Sequence, residues 1–220
     1  MPLRTKSGDM LAAPLPRGFV YFSQTDPSWE GTPYTTTGAS DQTIGKSGCV
    51  PTLQAMVAAN LCDLAVTPPD LAKWNIDNGM RTETKGTRRA SWNLLVNQLG
   101  LNIKTVEKNE ESLEVALQIG GLVVASLKGA DSSQLSTPSG HVIGLRAVNN
   151  SGVLIVDSNS QANSERPWSY EEISPFVNSG LRHIYHAEAD LVTSRSGLRM
   201  ATLTERQVAE QLAYDQDRSC

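Results

Sequence analysis

The stretch Ser47-Gly48-Cys49-Val50-Pro51-Thr52-Leu53-Gln54-Ala55-Met56 joins a Gly-Cys step to an apolar run. Apolar side chains in and after this stretch recur at helical spacing, at Val50, Leu53, Val57 and Leu61. We therefore predict a helix over residues 49–61, in which Pro51 is tolerated because its missing N–H falls in the first turn. Cys49 then lies at the helix N-terminus, where the helix dipole favours the thiolate and lowers the cysteine pKa.

Two strand-like runs far downstream carry a histidine and an aspartate. His141 starts the first run, and Asp157 ends the second. Between them, Asn149-Asn150-Ser151-Gly152 is typical of a tight hairpin turn. In such a hairpin, residues near Asp157 lie opposite residues near His141, so we expect the carboxylate to reach the imidazole. Asn159 is an alternative partner for the ring, because an asparagine amide can play the same part.

Cysteine, histidine and aspartate in this order supply what a cysteine nucleophile requires. The thiol needs a base to remove its proton, and the base needs a carboxylate or an amide to hold its tautomer. The competing interpretation is a small buried cysteine, a structural histidine and an aspartate in a turn. The glycine before Cys49 and its place at a helix start favour catalysis, so we predict an enzyme.

Gln24 is the candidate donor for an oxyanion, because a side-chain amide is a good neutral hydrogen-bond donor. On residue type alone, Gln24 would be a surface residue. It follows a short aromatic and β-branched run at residues 18–22, which predicts a strand. It opens a segment rich in Thr, Ser, Gly and Asp, residues 23–47, which predicts a loop that either lines a cleft or is a surface connection.

Predicted helices precede most of the predicted strands, which indicates the α+β class. Three further helices are predicted. One begins after Thr67, which we expect to be its N-cap, and the other two cover residues 87–99 and 111–119. The strands after the helices cover residues 122–127, 141–148, 152–157 and 180–186. We expect one folded domain over residues 18–189, between a flexible leader at 1–17 and a helical tail at 190–220.

Composition excludes several functional classes. The net charge of -4 disfavours nucleic acid as a partner, because phosphate binding needs a basic surface. No run of residues is long and apolar enough for a membrane span, and residues 1–17 lack a secretory signal. The 3 cysteines lie in dissimilar sequence contexts and form no disulfide framework, which predicts a reducing compartment. No Cys/His grouping has the spacing of zinc ligands, so we expect no metal and no cofactor. An oligomeric state is not indicated.

Several motifs, taken in order, resemble the C39-like cysteine peptidases, a branch of the papain-like fold. They are Phe22-Ser23-Gln24-Thr25-Asp26-Pro27-Ser28-Trp29, Gly48-Cys49-Val50-Pro51-Thr52, Thr67-Pro68-Pro69-Asp70-Leu71-Ala72, Ser139-Gly140-His141-Val142-Ile143 and Gly152-Val153-Leu154-Ile155-Val156-Asp157-Ser158. The resemblance covers about residues 18–189. It departs from the family at Val50, where a small residue is usual, and at Ser158, where proline is usual.

The resemblance implies a papain-like architecture, in which the helix of the nucleophile packs on an antiparallel sheet. It also implies a role for each site residue. Cys49 is the nucleophile, His141 the general base and then acid, Asp157 the group that orients the histidine, and Gln24 the oxyanion donor. The implied reaction is peptide-bond hydrolysis through a thioester.

The substrate follows less directly from the resemblance. Stand-alone C39-like domains resemble the peptide-cleaving parts of phage lysins, which favours a peptidoglycan peptide as substrate. The protein would then be cytoplasmic, or released without a signal peptide. The alternatives are an intracellular protease that processes proteins or leader peptides, and a non-catalytic peptide-binding module on the same fold. Acyl transfer to an acceptor other than water also stays open.

Overall fold

The computed structural model describes the central part of the chain, at residues 18–83, 86–131, 133–178 and 180–186. The predicted leader at 1–17 and the predicted helical tail at 190–220 lie outside the described residues, so the domain boundaries stay a prediction. Within the described ranges, no helix has both the length and the apolar character needed to cross a bilayer.

Helices dominate the first half of the described chain, and strands dominate the second. The first elements are α1 (Ile44–Ser47), α2 (Cys49–Cys62), α3 (Pro68–Asp77), β1 (Arg81–Thr82), β2 (Gly86–Thr87) and α4 (Ala90–Leu99). The later ones are β3 (Asn102–Val106), α5 (Glu110–Gln118), β4 (Leu122–Leu127), β5 (His141–Asn149), β6 (Gly152–Val156), α6 (Gln161–Ser164), β7 (Pro167–Trp168), α7 (Tyr170–Ile173), a 3-10 turn (Ser174–Phe176) and β8 (Leu181–Tyr185).

The predicted helix that starts at Cys49 is confirmed, and α2 extends one residue beyond the predicted end. Every side chain from residue 50 to residue 58 is buried, so this helix is a core helix rather than an amphipathic surface helix. Its neighbour α3 begins as predicted after Thr67, whose backbone N–H and hydroxyl both donate to the Asp70 carboxylate.

Among the described residues, one antiparallel sheet contains six strands in the order β3-β8-β4-β5-β6-β7. One face of the sheet packs on α2 and α4 through a cluster that includes Leu53, Trp92 and Val124. The other face packs on α5 and the segment after α6, through residues such as Leu113 and Ile173. The sheet therefore lies between two layers, and the α+β prediction is confirmed.

The predicted strand at residues 18–22 is wrong. No strand forms there, because the side chain of Asn60 on α2 occupies both backbone groups of Val20. The Val20 N–H donates to Asn60 Oδ1 at 2.9 Å, and the Val20 carbonyl accepts from Asn60 Nδ2 at 2.8 Å. The segment thus runs along a helix and has no strand partner, in spite of its β-forming residues.

Other predicted boundaries change where short strands intervene. The helix predicted from residue 87 begins at Ala90, because Gly86 and Thr87 pair with β1. The segment predicted as a loop over residues 23–47 ends in the short helix α1. Strands β3 and β7 at the two edges of the sheet were not predicted.

Replacing Gly48 with alanine is expected to destabilise the fold, because an added Cβ would lie 2.4 Å from the Ile44 carbonyl oxygen. We expect the free energy of unfolding to fall by about 1–3 kcal/mol, which is typical of overpacking. Urea denaturation measures the change. The control is Gly31→Ala, where an added Cβ meets nothing within 4 Å. Equal stability of the two variants would contradict the prediction.

Candidate active site

The pairing of β5 with β6 decides which side chains share a face of the sheet. A β-bulge at Arg146 shifts the register by one residue. The pairs beside the turn are Val148–Val153 and Asn149–Gly152, and those beyond the bulge are Leu145–Ile155 and Gly144–Val156. Continued one residue beyond the end of β6, this register places Asp157 opposite Ile143, whereas the register beside the turn would place it opposite Gly144. Since side chains alternate along a strand, the shift puts Asp157 on the face that Ile143 shares with His141.

His141 and Asp157 meet on that face. The Nε2–H group of His141 donates to Oδ1 of Asp157 at 2.7 Å, and the two side chains are only 3% and 2% exposed. The side-chain amide of Asn159 does not take this place, because Asn159 is exposed and its backbone N–H is what contacts Oδ1, at 2.9 Å. Of the two orienting groups that the sequence left open, the carboxylate is the one that contacts the ring.

Cys49 lies at the first position of α2 and contacts the same histidine. Burial raises the pKa of the Cys49 thiol, but several favourable interactions outweigh it and leave the pKa below its ordinary value. They are the hydrogen bond and positive charge of His141, and hydrogen bonds from the backbone N–H groups of Val142 and Val50. The sulfur is thus placed among donors that stabilise a thiolate.

The pKa of His141 shifts in the opposite direction. Burial lowers the pKa of His141, but its hydrogen bonds to Asp157 and Cys49 outweigh burial and raise that pKa to about 10. A lowered cysteine pKa beside a raised histidine pKa favours a thiolate-imidazolium pair at neutral pH. Because Nε2 is bonded to Asp157, Nδ1 is the ring nitrogen that remains for the sulfur.

Gln24 is buried, so its interpretation as a surface residue is wrong. Its Nε2 donates to the Gly45 carbonyl at 3.0 Å, and its Oε1 accepts from the Ser158 hydroxyl at 3.0 Å. The Gln24 backbone N–H also donates to the Ser158 carbonyl at 2.8 Å. These bonds tie the amide to α1, which precedes Cys49, and to the residue that follows Asp157.

Sequence reasoning missed three residues that surround Asp157. Tyr21 donates its hydroxyl to the Asp157 carbonyl, Ser164 Oγ accepts from the Asp157 N–H, and Asn163 Nδ2 donates to Asp157 Oδ2, each at 2.8 Å. For Ser164 and Asn163 a signal was present, in the dense short polar side chains that follow the buried strand β6. For Tyr21, which is far away in sequence, there was none.

The remaining histidines take no part in this arrangement. His183 Nε2 contacts the Gly120 carbonyl, and His186 Nε2 contacts the Leu61 carbonyl, each at 2.6 Å. In the part of the chain that the structure describes, no group of three or more His, Cys, Asp or Glu side chains could hold a metal ion.

Comparisons with known proteins give a distant structural likeness. No family model matches the sequence, and no curated protein matches it. Among solved structures, the chain is similar to the peptidase domain of Streptococcus ComA, a bi-functional ABC transporter involved in a quorum sensing pathway. The sequence identity is 14% and the TM-score 0.47, with 64% of this chain and 92% of that chain covered. A likeness this distant leaves the function to be inferred from the site's own residues.

Cys49 is expected to react with iodoacetamide much faster than Cys62 at neutral pH. Burial raises the pKa of Cys62, whereas the pKa of Cys49 is lowered. Replacing His141 with alanine should slow the alkylation of Cys49 by roughly ten-fold or more, because an ordinary thiol is mostly protonated at pH 7. Peptide mapping by mass spectrometry gives the rate at each cysteine.

The pH dependence gives a second check of the same pair. Alkylation of Cys49 should stay nearly constant through neutral pH and fall on the acid side, where the thiolate takes up a proton. The Cys62 rate in the same sample is the internal control, and it should rise with pH. Similar rates at the two cysteines, or a Cys49 rate unaffected by His141→Ala, would exclude the ion pair.

Proposed function

We propose that this protein is a cysteine peptidase with a papain-like arrangement. The observation that carries the proposal is the series of contacts from the Cys49 sulfur through the buried His141 ring to the buried Asp157 carboxylate. A nucleophile, a base and a group that orients the base are the parts that thiol-dependent acyl transfer needs. The opposite pKa shifts of Cys49 and His141 support the same assignment.

In the first step, the Cys49 thiolate attacks the carbonyl carbon of a peptide bond. A C–S bond forms, and the carbonyl π electrons move to oxygen, which becomes an oxyanion. The Cys49 backbone N–H and the Gln24 amide are the donors assigned to that oxyanion. The oxyanion then collapses, the C–N bond breaks, and the Nδ1 proton of His141 passes to the leaving amine. The products are a thioester on Cys49 and a neutral His141.

In the second step, water hydrolyses the thioester on Cys49. Neutral His141 takes a proton from a water molecule as the water oxygen attacks the thioester carbonyl. The second tetrahedral intermediate collapses with cleavage of the C–S bond, which releases a carboxylic acid and returns the Cys49 thiolate beside the His141 imidazolium. Asp157 keeps the ring in one orientation through both steps and stabilises its positive charge.

A non-catalytic peptide-binding module is the weaker interpretation of the same residues. Binding a peptide does not require a thiolate, whereas the donors around Cys49 lower its pKa against the effect of burial. Nor does binding require a buried histidine and carboxylate pair. The ion pair therefore favours catalysis.

Loss of the nucleophile and loss of the oxyanion donor should have different effects. Cys49→Ala is expected to abolish turnover. Gln24→Ala should lower kcat by about 10²–10³, as removal of one oxyanion donor does elsewhere, with KM changed less. The matched control is Gln54→Ala, since Gln54 is also buried and also makes two side-chain hydrogen bonds, but inside the helical layer. Gln54→Ala should lower stability and leave kcat of the folded protein unchanged.

The assay compares two kinds of peptide substrate. Purified protein comprising residues 1–220 is incubated with bacterial peptidoglycan in one arm and with unfolded protein chains in the other, and new free amines are counted. Release from peptidoglycan alone supports the lysin-type substrate, and release from protein supports the processing protease. Product masses separate hydrolysis from transfer to another acceptor. If Cys49→Ala releases amines as fast as the wild-type protein, the proposed function is wrong.

A further inference from the structure

Asn163 on α6 joins two segments of the candidate site. One N–H of its side-chain amide donates to Oδ2 of Asp157 and the other to the carbonyl of Gln134, each at 2.8 Å. The backbone carbonyl of Asn163 accepts from the indole N–H of Trp168 at 2.9 Å. The residue is 9% exposed, so both amide hydrogens are used in a largely water-free place.

The carboxylate of Asp157 is held by donors on both of its oxygens. Oδ1 accepts from the His141 ring at 2.7 Å and from the Asn159 backbone N–H at 2.9 Å. Oδ2 accepts from Asn163. A buried carboxylate oxygen without a donor is unfavourable, so loss of the Asn163 amide would let the carboxylate rotate in search of another partner. Rotation would move Oδ1 away from the imidazole.

The second bond of Asn163 reaches the segment that leads into β5. Gln134 lies seven residues before His141, and its carbonyl is the acceptor. A single amide therefore restrains the carboxylate and also the chain that positions the histidine. These contacts differ from the local role of Asn163 in α6, where its backbone N–H donates to the Ser160 hydroxyl at 3.3 Å and would do so with any side chain.

We propose that Asn163 is a positioning residue for the reaction, which keeps Oδ1 of Asp157 directed at His141. This inference rests on the proposed function, since it assigns a role within the same site. Asn163 acts through Asp157 and does not touch the substrate. It also explains how the carboxylate can be buried beside the ring, because each of its oxygens has a hydrogen-bond donor.

The first test is Asn163→Ala. We expect the alkylation rate of Cys49 by iodoacetamide at neutral pH to fall roughly ten-fold, the lower end of the effect of removing such an outer contact. Asn75→Ala is the matched control, because Asn75 is fully buried and also donates two side-chain hydrogen bonds, to Gln54 and to the Leu71 carbonyl. That control should lose stability but keep the Cys49 rate of the folded protein.

The second test asks whether Asn163 acts through Asp157. Asp157→Ala, Asn163→Ala and the double variant are compared in a double-mutant cycle of Cys49 alkylation rates. If the proposal holds, Asn163→Ala slows the reaction in the wild-type background and has little further effect, under about two-fold, in the Asp157→Ala background. Equal losses in both backgrounds would overturn it, and so would an unchanged rate in Asn163→Ala or an equal loss in Asn75→Ala.

The alkylation readout separates this inference from the proposed function. Alkylation needs the Cys49 thiolate and no peptide substrate, so the cycle can be measured on a protein that cleaves nothing. A coupled cycle without peptide cleavage would refute the peptidase and retain the role of Asn163. Peptide cleavage with an additive cycle would retain the peptidase and refute the role of Asn163.

Discussion

The alternation of side chains along β5 and β6 is the constraint on which the rest of the site depends. Continued past the bulge unchanged, the register beside the turn would place Asp157 on the face opposite His141. The bulge at Arg146 changes that parity. It serves the core as well, because Ile143 before the bulge and Val148 after it pack against the same apolar cluster. The burial of the core and the pairing of the site residues thus have one geometric origin.

The helix that begins at Cys49, the proposed nucleophile, packs against the same strand. Gly144 of β5 leaves room for Leu53 of α2, and a Cβ at Gly144 would lie 3.1 Å from the Leu53 side chain. The Val142 backbone, two residues earlier, is among the hydrogen-bonding groups that lower the pKa of the Cys49 thiol. The close packing of α2 on β5 therefore brings the Cys49 thiol to His141, because each residue lies at the start of one of these two elements.

Local signals in the sequence predicted much of this arrangement. Helical spacing predicted α2, and turn residues predicted the hairpin that carries His141 and Asp157. The strand at residues 18–22 was wrong because its backbone is bonded to a side chain 40 positions away, which no local pattern records. Strands β3 and β7 were missed because one is half-polar and the other has only 2 residues.

The candidate site was likewise predicted in part. Residue type and chain order predicted which side chains would meet, because a nucleophile, a base and a carboxylate are chemically recognisable. The bulge, the hydroxyl of Ser158 and the amide of Asn163 were not predicted, because their roles arise from register and from a turn that folds back on β6. Support of this kind depends on tertiary position and not on residue type.

The bond between Gln24 and Ser158 has a consequence for how the chain matures. It joins residues 134 positions apart, and Tyr21 reaches Asp157 across 136. Contacts so distant in sequence form late, since the intervening chain must be ordered before they close. During synthesis the Cys49 helix leaves the ribosome long before His141 and Asp157. The newly made Cys49 thiol therefore lacks His141 and the Ser158 contact that helps to hold Gln24, so we expect the proposed activity to arise only after these distant segments have met.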